Sequence, residues 1–449
     1  MRAQKYSAFG QSRMERSVRK LLQSVAAFLL ADGLGVVGAV VFSIVLARVR
    51  GAEELGVFSF SMAQALLLQL FIEANFAITL PQEVARVRTI AEPIRRAHIA
   101  KWYLSLVGVP AGILLLLLGG RADALAPTLA AFAVTLGHSF VASYSAALHG
   151  LGRMRLLGGI IAVTSTLGAL AGIAGLVLGW SLPAVILVQG FGTALPAWVC
   201  LGQVLRRKEP GWSPWRLFLG EVVRQLGSEG IAGTVRWVWD IVRARWHWIL
   251  LGILTIGYMR FGVLFLGWVG AAAATIGAYS AAQRFLVVLR MIPNAFFRVL
   301  LPSFAAHPEQ FSLMWALGMS ALVGIGVAVL VHAGAPLLIE WTFRIPEAVP
   351  LLRLMGWAMP AVVLSYVLES YALTLAGFQQ AVVVWAGIVL GIGFAGAFVL
   401  FPFCGVLGIA GLYVAMESLY AAGVLYGVLR RRVPDRQREQ VWEAHAVER

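Results

Sequence analysis

Charge is scarce in this sequence, and so are cysteine and long polar stretches. Of 449 residues only 13% are charged, while 60% are hydrophobic, and the mean hydropathy is +0.83. No water-soluble fold has an interior large enough to hide that much apolar side chain. The two cysteines, Cys200 and Cys404, stand too far apart in the pattern to suggest a disulfide or a thiolate metal site. The loops carry no P-loop, no cluster with metal-ligand spacing and no nucleophile–base constellation, so neither enzyme chemistry nor a cofactor or metal is expected. The longest polar stretch, 206–245, is itself rich in Trp and Leu, which leaves no room for a separate soluble domain.

What fills the chain instead is a succession of apolar runs, each roughly twenty residues long and able to cross a hydrocarbon layer of about 30 Å as a helix. The expected spans are 21–47, 55–79, 99–119, 124–148, 156–179, 182–205, 246–268, 276–299, 311–333, 350–375, 381–402 and 407–429. The reading is an all-α integral membrane protein of about twelve transmembrane helices. The first run is longer than a signal-peptide core and lacks an evident A-x-A site, so it is expected to remain as the first helix.

The formal charge of +15 would indicate nucleic acid in a soluble chain, but in a membrane chain the placement of Lys and Arg is what matters. Of 36 such residues, about 28 fall in the two tails and in alternate loops. The opposite loops hold Arg48, Arg50, Arg121 and Arg344. The positive-inside rule therefore puts both termini in the cytoplasm, with membrane lipid rather than nucleic acid as the partner. The expected organisation is a tail at 1–20, an N-terminal six-helix lobe at 21–205, a linker at 206–245, a C-terminal six-helix lobe at 246–429 and a basic tail at 430–449. The linker mixes Trp212, Trp215, Trp237 and Trp239 with Arg216, Arg224, Arg236 and Arg243, which suits the headgroup layer. It reads either as an interfacial connection or as a platform for anionic lipid or a cytosolic partner.

Two local signatures recur in order. Gly56-Val57-Phe58-Ser59 opens helix 2 and Leu148-His149-Gly150-Leu151-Gly152-Arg153 closes helix 4. In the second half Gly277-Ala278-Tyr279-Ser280 opens helix 8 and Leu375-Ala376-Gly377-Phe378-Gln379-Gln380 closes helix 10. From Gly56 to Gly150 is 94 residues and from Gly277 to Gly377 is 100, so order and spacing agree. Such self-similarity is a common device of transporters and makes two lobes inserted in parallel.

With these features the sequence resembles the multidrug/oligosaccharidyl-lipid/polysaccharide exporter superfamily, specifically its polysaccharide (O-antigen type) flippase branch. One stretch that carries the resemblance runs Leu46-Ala47-Arg48-Val49-Arg50-Gly51-Ala52-Glu53-Glu54-Leu55-Gly56-Val57-Phe58, similar to the family's turn from helix 1 into helix 2. The other runs from Arg260-Phe261-Gly262 to Gly267 and from Ile276 to Arg284. Members of that branch commonly have an acidic residue two after the arginine of helix 7, where this chain has Gly262. The resemblance implies two lobes around a central cavity in the bacterial cytoplasmic (inner) membrane. It also implies movement of a polyprenyl-diphosphate-linked oligosaccharide for lipopolysaccharide or other surface polysaccharide, in company with a polymerase or export proteins.

An ionisable group near mid-membrane costs roughly 2.5–3.5 kcal/mol by insertion scales, so each should face a cavity or a partner. Arginine offers a permanent charge and a bidentate fork for phosphate oxygens, which makes Arg260, Arg284 and Arg290 the candidates for a diphosphate. Tyr279 and Gln283 share a helix stripe with Arg290 and can hydrogen-bond sugar hydroxyls. The competing reading pairs these arginines with carboxylates to hold helices together. Asp32 and Glu417 are the first candidates for ion coupling, followed by Glu73 and Glu369, with the same structural alternative. His138 reads as a packing residue. Gly33, Gly35 and Gly38 beside Asp32 allow either close packing or a bend. A drug or cation antiporter, a membrane glycosyltransferase and a non-transporting scaffold compete with the flippase. Intramembrane arginines disfavour the first and short outer loops the second.

Overall fold

The computed structural model describes the backbone of residues 2–74, 76–87, 89–209, 221–306, 313–373 and 379–430. Side chains are described from Gly33 onward, apart from 210–229, 292–315, 370–380, the C-terminal tail and isolated positions between them. The side chains of Asp32, Trp212, Trp215, Arg216 and Arg224, and the closing signature at 375–380, therefore lie outside the described residues.

The described chain is helical throughout: α1 (Arg2–Glu73), α2 (Phe76–Val87), α3 (Ala91–Leu118), α4 (Leu125–Gly150), α5 (Met154–Val177), α6 (Leu182–Arg206), α7 (Glu221–Trp268), α8 (Ala273–Ala306), α9 (Leu313–Thr342), α10 (Ala348–Gly356), α11 (Met359–Leu373) and α12 (Gln379–Arg430). Among the described residues there is no strand. Among the described residues, each expected span lies, but for a residue or two at its ends, on one of these helices or on an adjoining pair. Length and apolarity alone mark seven helices as able to cross a membrane, or eight with the pair α10–α11, which is bent by 45°. Two of the seven, at 33–73 and 381–430, have 41 and 50 residues. That is about twice what one crossing needs.

Both long helices are broken by a glycine in the left-handed region. Gly51 has φ 82° and Gly405 has φ 55°, a conformation that costs an L-residue with a Cβ about 1–2 kcal/mol. Nothing stands within 4 Å of where a Cβ on Gly51 would lie, so the demand there is conformational only. Gly51→Ala is accordingly expected to lower stability by about 1–2 kcal/mol. Thermal unfolding of the detergent-solubilised protein checks this, and an unchanged midpoint would show that the turn does not need glycine.

α7 turns in the same way at Gly230 (φ 67°) and then runs unbroken to Trp268. No proline interrupts 231–268, so Arg236, Trp237, Trp239 and Arg243 belong to the helix that carries the seventh expected span.

Large apolar side chains such as Leu106, Leu118, Val163, Leu170, Leu322 and Phe403 are exposed, as a lipid-facing surface requires. Small residues make the helix contacts, because apolar lipid gives no extra drive for burying large side chains between helices. Gly168 lies against Gln189 and Thr193, Gly172 against Phe42, and Gly190 against Val134. These glycines let α5 pack on α1 and α6, and α4 on α6.

The chain forms two compact units, Met1–Val288 with Gly334–Leu352, and Leu289–Ala333 with Arg353–Arg449. Within the first unit α7 packs on α1 and α3. In the first unit a buried core joins Leu80, Val84, Ile94, Tyr144, Leu201 and their neighbours. In the second, Leu368, Val424 and Val428 form a smaller core bordered by Trp385, whose indole donates to the Leu419 carbonyl at 3.1 Å.

Candidate functional site

The two opening signatures of the repeat meet in the first unit. A Cβ on Gly56 would overlap the Ala273 carbonyl, and one on Gly277 would overlap the Ala52 carbonyl. Each glycine thus lets the partner helix's backbone approach as closely as the other does. Three residues further along each signature, the Ser280 hydroxyl donates to Ser59 Oγ at 2.6 Å. Equivalent positions of the two signatures thus face each other reciprocally.

Directly beside this contact lie the arginines of the second half. Arg284 Nη2 donates to Ser59 Oγ at 3.3 Å, and its guanidinium lies 5.7 Å from the Phe58 ring centroid. Arg284 Nε is buried without a hydrogen-bond partner among the described residues. Arg260 is close enough to act on Arg284 by charge, with the repulsive sign. No described carboxylate acts on either. Gln283 sits on the next position of α8 and donates Nε2 to the Met259 carbonyl at 2.8 Å, while its Oε1 is buried and unsatisfied among the described residues. Tyr279 is fully buried, its ring over Gly262, so a side chain at 262 would collide with it. The glycine that stands where the branch commonly has an acid is the space this tyrosine occupies.

Two half-buried guanidiniums that repel each other, with no described carboxylate acting on them, are an unusual expense. Leaving a buried charge uncompensated costs roughly 3–5 kcal/mol. The arrangement can accept an anion, with phosphate oxygens supplying both the missing charge and acceptors for the free N–H groups.

The remaining candidates are placed elsewhere. Arg290 is ion-paired with Glu417 and hydrogen-bonded to the Tyr413 hydroxyl, all within the second unit. In this structure Arg290 and Glu417 thus form the helix-to-helix pair of the structural alternative. Glu369 accepts a 2.6 Å hydrogen bond from the Tyr420 hydroxyl. Glu73 is buried and accepts from Gln69 Nε2 at 2.8 Å. His138 Nε2 lies 3.3 Å from the Gly190 carbonyl, with helices α4 and α6 in contact. Two polar residues that the sequence reading passed over stand out. Ser59 lay inside a signature yet was not singled out. Lys101 falls two residues inside the third expected span and is buried.

Three of the four basic residues expected on the outer side act on backbone carbonyls. Arg48 donates to the Trp341 and Thr342 carbonyls, Arg50 to Trp180 at 2.9 Å and Arg121 to Ala271 at 3.2 Å. Trp341 and Thr342 end α9, where carbonyls have no helical partner, so Arg48 acts as a C-terminal cap supplied from α1. Arg48→Ala is expected to raise amide exchange across 338–345 by about tenfold, as loss of one or two charge-assisted hydrogen bonds would. Hydrogen–deuterium exchange measures this, and unchanged protection would contradict it.

The fold is a multi-pass one of long apolar helices, seven of them long and apolar enough to cross a membrane among the described residues. Its architecture is similar to that of the lipid II flippase MurJ in an inward closed conformation, with TM-score 0.66 and 11% identity over 89% of this chain and 87% of that one. It is likewise similar to an inward-facing multidrug resistance MATE family transporter of the MOP superfamily, with TM-score 0.52 and 14% identity over 90% and 94% of the two chains. The eukaryotic MATE transporter AtDTX14 gives TM-score 0.56 and 12% identity over 92% and 96%. No curated protein matches the sequence. Residues 21–307 match the family described as polysaccharide biosynthesis protein, and the chain belongs to that family.

Proposed function

We propose that the protein is a flippase that carries a polyprenyl-diphosphate-linked oligosaccharide across the bacterial cytoplasmic membrane for surface polysaccharide synthesis. The observation that carries this reading is the pair Arg260 and Arg284, like charges side by side with no described carboxylate acting on them. A diphosphate headgroup brings two or more negative charges and a fan of acceptor oxygens, which offsets the repulsion between the arginines and satisfies Arg284 Nε. Gln283 Oε1 offers an acceptor to a sugar hydroxyl beside them. Membership of a polysaccharide biosynthesis family supports a sugar-bearing lipid as the cargo, and the fold shared with the lipid II flippase and MATE transporters supports carriage by alternating exposure of the pair to the two sides. Twelve crossings, both termini in the cytoplasm and coupling to an ion gradient belong to the same proposal, with polymerase or export proteins as downstream partners.

Binding by the purified protein tests the reading. Undecaprenyl diphosphate should raise its thermal midpoint saturably, since a ligand that binds only the folded state stabilises it by mass action, and the uncharged alcohol undecaprenol should not. Equal stabilisation by the two lipids would overturn the diphosphate site. Stabilisation by an organic cation, and by neither lipid, would favour a drug antiporter instead.

A further inference from the structure

We propose that the cavity where the end of α9 meets Arg48 of α1 binds sugar, and that it receives the oligosaccharide of the cargo on the outer face. This rests on the flippase reading above and gives the glycan a site of its own, apart from the arginine pair. Arg48, Glu340, Trp341, Arg344 and Pro346 line the cavity, whose volume is about 780 Å³. All five belong to the first unit. Pockets for small ligands commonly enclose about 300–1,000 Å³.

The apolar part of α9, Ala316–Thr342, has 27 residues and so rises about 40 Å, roughly 10 Å more than a hydrocarbon layer needs. Glu340 and Arg344 stand exposed at its C-terminal end, where a charge costs least outside that layer. In the proposed topology this end faces outward. Trp341 is 73% exposed there. A sugar ring can lay its C–H face on an indole while the hydroxyls around its edge take hydrogen bonds in both directions. Arg344 supplies donors and Glu340 acceptors. The carboxylate in the wall repels a bare phosphate, so the mixture suits a glycan better than an inorganic anion. Arg48 fixes the backbone that carries the indole, with Nε donating to the Thr342 carbonyl at 2.6 Å and Nη2 to that of Trp341.

The backbone at Arg344 is a second, independent sign. It has φ 57°, and its amide closes the end of α9 on the Ile339 carbonyl at 2.9 Å. At Gly120, Gly152, Gly179 and Gly270 the chain enters the same left-handed region with glycine, which has no Cβ to strain it. An arginine kept in such a turn points to a use for its side chain. Beside it the buried Phe343 packs on Phe285 of α8, with ring centroids 5.8 Å apart. Phe285 follows Arg284 in the chain, so one ring contact joins the cavity wall to the helix that carries the proposed diphosphate site.

The probe is the free oligosaccharide released by mild acid from the lipid-linked pool of the source cells, without lipid or diphosphate. Saturation-transfer NMR on the full-length protein in nanodiscs should show it binding to wild type, and Trp341→Ala and Arg344→Gly should each weaken it by about tenfold or more. Because glycine suits φ 57°, Arg344→Gly should leave the thermal midpoint unchanged or raised, which separates lost binding from lost folding. No binding by wild type, or wild-type binding by both folded variants, would overturn the sugar site. So would stabilisation by phosphatidylglycerol that depends on Arg344 in a protein that binds no glycan, which would make the cavity a lipid-headgroup contact. Glycan binding that depends on Trp341 in a protein that binds no undecaprenyl diphosphate would overturn the flippase reading and leave the sugar site standing.

Discussion

Replacing Arg260 and Arg284 together with glutamine is expected to abolish undecaprenyl diphosphate binding and to raise the thermal midpoint of the empty protein. The opposite signs come from one cause. The two guanidiniums repel each other, Arg284 Nε is unsatisfied, and no described carboxylate acts on either group. In the empty protein they are therefore a cost that neutral side chains of similar length remove. With the diphosphate present, each charge-assisted contact is worth about 1.5–3 kcal/mol, or roughly ten- to 150-fold in affinity per arginine. Binding by the variant and its unfolding midpoint, measured on the same preparation, decide the matter. A lower midpoint with intact binding would mean that the arginines hold the fold together and leave the cargo to another site.

The second large effect is expected at the glycine contact. Leucine at Gly56 or Gly277 should reduce transport by a hundredfold or more, because its Cβ would occupy the position of a backbone carbonyl on the facing helix. A flexible neighbour can move aside; a helix backbone cannot do so without shifting as a whole. In the proposed alternating-access cycle this contact opens once per turn. With Cys200 and Cys404 replaced by serine, a cysteine pair at Ser59 and Ser280 is placed to form a disulfide, since the native hydroxyl oxygens are 2.6 Å apart. Oxidation should stop transport and reduction restore it. Undiminished transport by the cross-linked protein would show the contact to be permanent.

The glycine contact and the arginine pair differ from the other site residues in how far the sequence revealed them. Gly56 and Gly277 were visible as a repeat because close backbone approach admits almost no other residue, so the requirement is written in the residue type. Arg260 and Arg284 stood out because a charge inside an apolar run is conspicuous by itself. Whether such a charge has a partner is a different matter. Arg290 and Glu417 are 127 positions apart, and nothing in either segment announces their ion pair. A shared stripe on α8 suggested company for Arg290 with Tyr279 and Gln283, yet Gln283 bonds to the Met259 carbonyl and Arg290 to Glu417. Lys101 was hidden by its position, two residues inside an expected span, where a lysine usually snorkels to the interface. Only the depth of α4 beside it, with Ser139 and Ser143 turned toward the amine, shows it buried. The backbone break at Gly230 was likewise missed, because a single glycine in a helical run is compatible with an unbroken helix.

Movement of a lipid-linked sugar by the purified protein tests the central claim most directly. In liposomes carrying an undecaprenyl-diphosphate oligosaccharide in both leaflets, wild type should expose the inner-leaflet headgroups to an external glycosidase within the assay, and the Arg260→Gln, Arg284→Gln variant should leave them protected as protein-free liposomes do. Equal exposure by the variant and the wild type would contradict the assignment of the arginine pair, and no exposure by the wild type would contradict the flippase itself.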